Sequence, residues 1–235
     1  MRGLLVRVGA DQTEGGGYWN GPVDSRDRSF AYVPIPETGK IRRGLQKPCS
    51  LIQTALTAFA VSLPAQLHGQ TMHLDPDFAR LTYGDQGQRS RQISNKLKIE
   101  DILVFYAGLR DTQSDNLVYA IIGLYVIRKI ESAVCVPKAR WDKNAHTRRL
   151  LPSNATDIVI TAEPGVSGRL ERCIPVGEFR DRAYRVVKPL LRAWGGISSR
   201  DGYLQRSARL PELLDAQRFY SWFLRQSPSL SAKNN

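Results

Sequence analysis

A chain of 235 residues with 42% hydrophobic content and a net charge of +12 is long enough to bury one sizeable core. It has no run near the roughly 18 apolar residues that a membrane helix needs, and no long apolar stretch after Met1 of the signal-peptide kind. Cys49, Cys135 and Cys173 are far apart and form no CxxC unit, which argues against a disulfide framework or a zinc ribbon and fits free thiols in the cytoplasm.

Taken in order, residues 3–10 read as a short buried strand, and a glycine-rich loop follows from Asp11 to Asp24. Residues 29–35 read as a second strand, closed by Pro34 and Pro36. Ile52, Leu56, Phe59 and Leu63 recur at helical spacing after Ser50, which predicts a helix ending before Pro64. Residues 65–98 are polar and rich in turn signals. The clearest strands are 101–106 and 117–130, joined by a polar turn. Residues 157–162 make another, with 169–176 as the expected hairpin partner. Pro211 suits a first helical position, and Leu213, Ala216, Tyr220 and Phe223 form an apolar stripe that belongs in the core. There is no repeat period and no regular alternation of strands with long helices, so a doubly wound sheet is excluded. The expected fold is α+β: a mixed, strand-rich barrel with peripheral helices. One domain over 1–227 and a flexible polar tail over 228–235 is the expected organisation.

The charge is unevenly placed, with 18 Lys and Arg against 9 Asp and Glu from Lys138 onward. Arginine dominates there. Guanidinium forks bind phosphate oxygens bidentately, and clustered positive charge gains from counterion release on a polyanion. A nucleic-acid partner is the leading expectation; pairing with local acids such as Glu171, Glu178 and Asp181 is the bland alternative.

Familiar catalytic motifs are missing. Gly15-Gly16-Gly17 lacks the Gly-Lys-Ser/Thr of a phosphate loop, and Gly165-Val166-Ser167-Gly168 is not a nucleophile elbow. His68, His73 and His146 lack HExxH spacing, and the deaminase pattern is absent, so no metal site and no cofactor are expected. Three polar segments remain. The first, Asp11 to Pro22, offers two carboxylates, Asp11 and Glu14, the stackable Tyr18 and Trp19, and the amide of Asn20. The second, Leu81 to Arg89, sets Asp85 between glycines beside Gln86 and Arg89. The third ends a buried strand in Tyr106 and Arg110. Each can also be read as an ordinary turn or loop.

Lys98 to Tyr106 with Val118 to Val126 resembles the central strands of PUA-like domains of the EVE and ASCH type. That resemblance implies a β-barrel whose pocket accepts modified bases flipped out of nucleic acid. More of the chain resembles the third nucleotide-modification-associated domain family: Arg7 to Asp11, Val33 to Glu37, His73 to Phe78 with Leu81 to Asp85, Phe105 to Arg110, Ala145 to Arg149 and Tyr203 to Ser207. The resemblance implies an antiphage DNA glycosylase that excises hypermodified bases, such as glucosylated hydroxymethyl pyrimidines, from double-stranded DNA.

Glycosidic cleavage builds positive character on the sugar and negative charge on the departing base. Asp11 and Asp85 are the expected catalytic carboxylates. Tyr18, Trp19, Asn20, Gln86, Tyr106 and Arg110 are the expected base-pocket groups, and Arg89, Arg148, Arg149 and Arg169 the expected DNA-backbone contacts. No lysine lies in these segments, which favours water over a Schiff base as nucleophile. The competing function is a non-catalytic reader of modified bases in DNA or RNA. Neither a membrane nor an obligate protein partner is expected.

Overall fold

The computed structural model describes residues 1–11, 19–204 and 208–235. Its strands are β1 (Gly3–Arg7), β2 (Pro22–Val23), β3 (Ile35–Pro36), β4 (Met72–His73), β5 (Thr82–Asp85), β6 (Ile102–Asp111), β7 (Leu117–Ser132), β8 (Ile158–Ala162), β9 (Gly168–Pro175), β10 (Gly177–Arg180), β11 (Ala183–Val186) and β12 (Leu230–Ser231). Its α-helices are α1 (Gln53–Thr57), α2 (Gly87–Lys96), α3 (Ala145–Arg148), α4 (Lys188–Trp194) and α5 (Ala216–Arg225). The fold is mixed α+β and strand-rich, as the sequence predicts. No helix among the described residues is long and apolar enough to cross a membrane.

The two strongest apolar runs make the centre of an eight-stranded sheet in the order β1-β6-β7-β8-β5. Ile102 to Ala107 are buried without a break, and continuous apolarity of that kind marks a strand covered on both faces. β1 runs parallel to β6, with Leu4 opposite Leu103 and Arg7 opposite Tyr106. β6 and β7 form the antiparallel pair, with Ile102 opposite Val126 and Arg110 opposite Leu117. Among the described residues no pairing joins β1 to β5, so the sheet is mixed but does not close into the expected barrel.

Packing explains a glycine in the middle of β7. Phe78, Phe105 and Tyr125 meet edge to face, with ring centroids 4.8 to 5.8 Å apart. A Cβ on Gly123 would sit 2.5 Å from the Phe78 ring and 2.8 Å from the Gly168 carbonyl oxygen. Only glycine lets the strand, the ring and β9 approach so closely. Each of these buried aromatic side chains contributes on the order of 1.5–3 kcal/mol by leaving water.

Several elements differ from the sequence reading. β8 and β9 do not form a hairpin with each other; each pairs with a different half of the 16-residue β7. A strand that long, with register shifts at Ile121/Gly123 and Ile127/Lys129, accommodates two partners. Residues 29–35 are largely irregular although Phe30 to Val33 are buried, because Pro34 and Pro36 remove ladder donors. The helix expected before Pro64 shrinks to α1, since Ala60 turns the chain at a φ of 55°. Pro211 precedes the terminal helix; Asp215 caps α5 instead, accepting from the Arg218 N–H at 2.9 Å. Ala216 and Phe223 of the expected stripe are buried there with Phe219 and Trp222.

The segment 228–235, expected to be a flexible tail, is docked. β12 pairs with β9, the Asn234 side chain accepts from the Phe78 N–H at 2.7 Å, and Asn235 accepts from the Tyr32 N–H at 2.7 Å. The cysteines give a direct check on this packing. Cys49 and Cys173 are buried, Cys135 is exposed, and burial pushes the Cys173 thiol up to about 12. A thiol reagent at neutral pH should therefore label one site quickly in the native protein, Cys135, and three after denaturation. Rapid native labelling of Cys173 would show that the β9 region is open.

Candidate functional site

The β3–β4 ribbon, β5 and α3 converge on one polar cavity of about 310 Å³. Its lining includes Arg7, His73, Asp75, Tyr83, Asp85, Gln86, Arg89, His146 and Arg149. Local structure fixes each contribution. His73 and Asp75 are two residues apart at the end of β4, the spacing that puts side chains on one face of extended chain. Tyr83 and Asp85 share a face of β5 for the same reason. Asn144 caps α3, accepting from the His146 N–H at 2.8 Å, while Thr147 reaches back to the Asn144 N–H in a capping box. His146 is thereby held at the start of a short helix, over β5.

Buried carboxylates order both imidazoles. His73 Nδ1 is 2.7 Å from Glu37 Oε2, and His146 Nδ1 is 2.6 Å from Asp157 Oδ1. A proton on each Nδ1 answers these carboxylates, and in that tautomer each Nε2 is the position free to act as an acceptor or ligand. Both Nε2 atoms face Asp75 Oδ2, at 3.8 Å from His73 and 3.5 Å from His146. Asp75 is itself fixed by Asn144 Nδ2 at 3.0 Å and by the Gly84 N–H, 3.0 and 2.9 Å from its two oxygens. Arg149 donates to Glu37 at 2.7 and 3.0 Å and to Gln86 at 3.3 Å.

Electrostatics follow from this enclosure. Burial pushes the Asp75 carboxyl up to about 7. Burial also pushes His73 down to about 4, against the pull of Glu37, so the ring is neutral near pH 7. Glu37 is raised by burial, but hydrogen bonds from His73 and Arg149 outweigh that and hold it at about 2. Beside them, the Tyr83 hydroxyl donates a short hydrogen bond to Asp85 Oδ2. Arg89 Nε lies 3.3 Å from the same oxygen, and the Gln86 N–H donates to Oδ1 at 2.9 Å. Burial and the Asp85 charge push the Tyr83 hydroxyl well up, so it remains a donor.

Of the residues singled out in the sequence, Asp85, Gln86, Arg89 and Arg149 meet at this cavity. Asp11 is buried one layer back, its carboxylate 3.0 Å from Arg7 Nε, while Arg7 reaches the cavity wall. Tyr18 lies outside the described residues. Trp19 packs against the core, and Asn20 is buried, donating to the Gly108 carbonyl at 2.8 Å. Tyr106 is a core residue whose hydroxyl donates to the Leu204 carbonyl, and Arg110 binds the Asp115 carbonyl; neither lines the cavity. Arg148 was expected on the surface but is buried, with one guanidinium nitrogen 2.7 Å from Asp77. Arg169 is buried too, over the Phe30 ring and bonded to the Leu170 and Lys233 carbonyls. Neither presents a free fork to phosphate. Some later arginines are also paired internally, Arg172 with Asp27 and Arg180 with Asp201, whereas Arg182 and Arg192 are exposed.

The sequence reading missed Glu37, His73, Asp75, Tyr83, His146 and Asp157 as a group. Its usable signals were the His-x-Asp step at 73–75 and the Asn-x-x-Thr cap at 144–147, each silent without the other. A family model described as nucleotide modification associated domain 3 matches residues 2–226. No curated protein and no solved structure matches the chain.

Proposed function

This chain belongs to the nucleotide modification associated domain 3 family, and from that premise we propose that its polar cavity hydrolyses the N-glycosidic bond of a modified base in DNA. Membership ties the protein to nucleotide modification; the reaction is our reading of the cavity. The observation that carries it is the Tyr83–Asp85–Arg89 group on the wall of a polar cavity open to the surface. A hypermodified pyrimidine, for example a glucosylated hydroxymethyl base flipped out of phage duplex, presents hydroxyls and ring heteroatoms suited to such a lining.

Hydrolysis breaks the bond between C1′ and the base nitrogen and forms one from C1′ to a water oxygen. The Asp85 carboxylate accepts the water proton and opposes the positive charge growing on the sugar, held in place by the Tyr83 hydroxyl. Arg89 and Arg149 stabilise the negative charge on the departing base, and Gln86 offers a donor and an acceptor to its edge. The lining described holds no lysine, which favours water over a Schiff-base intermediate. Exposed arginines such as Arg182 and Arg192 supply contacts to the phosphate backbone. Asp11 supports Arg7 from behind.

The test is to incubate the protein with unmodified and hypermodified phage DNA and to analyse the products by mass spectrometry and gel. Free modified base with abasic sites, converted to strand breaks only by heat or alkali, is the expected result. Tight binding without any product would make the protein a reader of modified bases. Direct strand breaks would make it an endonuclease.

A further inference from the structure

The cavity floor gathers two imidazoles and two buried carboxylates around one point. Asp75 and Asp157 are both buried, and their ion-pair contacts are to imidazoles alone. With each Nδ1 turned to its own carboxylate, the atoms that face one another are two imidazole Nε2 atoms and an Asp75 oxygen. Three electron-rich atoms aimed at one point repel unless a proton or a metal ion lies among them, and two imidazoles with a carboxylate are a set that a metal ion takes. One ligand atom from each of His73, Asp75 and His146 lies within 4.8 Å of the others, so a small inward shift of the side chains lets a single ion touch all three.

We propose that His73 Nε2, Asp75 Oδ2 and His146 Nε2 bind a divalent first-row transition-metal ion, such as Zn(II), Fe(II) or Mn(II). The ligand set is two imidazoles and one carboxylate, the borderline N/O chemistry that such ions take, whereas calcium and magnesium prefer oxygen. Glu37 and Asp157 are the outer carboxylates that hold each imidazole in the ligating tautomer. Asn144 and the Gly84 N–H orient the Asp75 carboxylate. Three protein ligands leave the remaining coordination positions open towards the cavity, the arrangement of a catalytic rather than a structural site. An ion held there would lower the pKa of its bound water and so supply a nucleophile next to Asp85. Spacing alone hid the site: His73 and His146 lie on separate elements, and no short motif joins them.

Binding is measured on the metal-stripped full chain without DNA, so its outcome is independent of whether the glycosylase reading holds. Titration with Co(II) should give one equivalent bound, visible d–d absorption, and displacement by Zn(II). Zn(II) should also raise the thermal midpoint of the wild-type protein. His146→Gln and Asp75→Asn should abolish the absorption. Asp157→Asn should keep it but weaken affinity by roughly 10–100-fold, the cost of losing an outer carboxylate, which a merely structural role would not produce. Failure of the folded wild-type chain to bind Co(II) or Zn(II) at micromolar concentration overturns the proposal, whatever the variants do. So does binding that His146→Gln and Asp75→Asn leave unchanged. In either case a proton on Asp75 shared with an imidazole explains the cluster.

Discussion

Asp85→Asn lowers turnover on hypermodified DNA by at least about 100-fold, the lower end expected for loss of a general base. Asparagine keeps the size of the side chain and one acceptor oxygen, which serves either the Tyr83 hydroxyl or the Gln86 N–H, since these bond to different oxygens of the carboxylate. It removes the charge that accepts the water proton and opposes the developing positive charge on the sugar. Binding to modified DNA and the folded state are retained at a modest cost in stability, because packing is unchanged while one hydrogen bond and the charge facing Arg89 are lost. Asp11→Asn behaves differently. It weakens the pair with Arg7 in a buried layer and lowers the melting temperature, with turnover per folded molecule near normal. Turnover of Asp85→Asn within a few fold of wild type would remove Asp85 from the mechanism.

The largest stability effect falls on a residue that the sequence seemed to offer to DNA. Arg148 and Asp77 are both buried, 2.7 Å apart, and Arg148 also donates to the Asp142 carbonyl. Arg148→Ala leaves the Asp77 carboxylate without its guanidinium and costs about 3–5 kcal/mol, as for other buried pairs broken on one side. The Asn234 amide, 3.1 Å from the other Asp77 oxygen, offsets only part of this. Adding Asp77→Ala recovers part of the loss, since the charge left stranded is then gone. Denaturant unfolding measures both variants. DNA affinity per folded Arg148→Ala molecule stays close to wild type. A loss below about 1 kcal/mol, or a flattened salt dependence of DNA binding, would return Arg148 to the surface role.

Arg148 and Arg149 show where a sequence stops being informative. They are adjacent and identical, yet one is inside on Asp77 and the other lines the cavity, bonded to Glu37 and Gln86. The last turn of α3 decides between them, and nothing in the local composition distinguishes them. β6 and β7 were legible because strands buried on both faces leave long apolar runs. α2 was not, because GQRSRQISNK buries only Ser90 and Ile93 and has no apolar period to detect. The site divides in the same way. Asp85, Gln86 and Arg89 lie in one segment and could be found together. The His73, Asp75 and His146 group depends on β4 and α3 meeting over β5, a contact between segments some 70 residues apart, which only the folded chain supplies.

Gly84 sits where these segments cross. A side chain there would strike the His146 ring and the Asn144 amide, so the strand passes bare between them, its N–H buried on Asp75. That hydrogen exchanges only when its bonds to the two Asp75 oxygens break. Its hydrogen–deuterium exchange rate is thus a built-in clock for release of the Asp75 carboxylate, readable at a single backbone position without substrate or label.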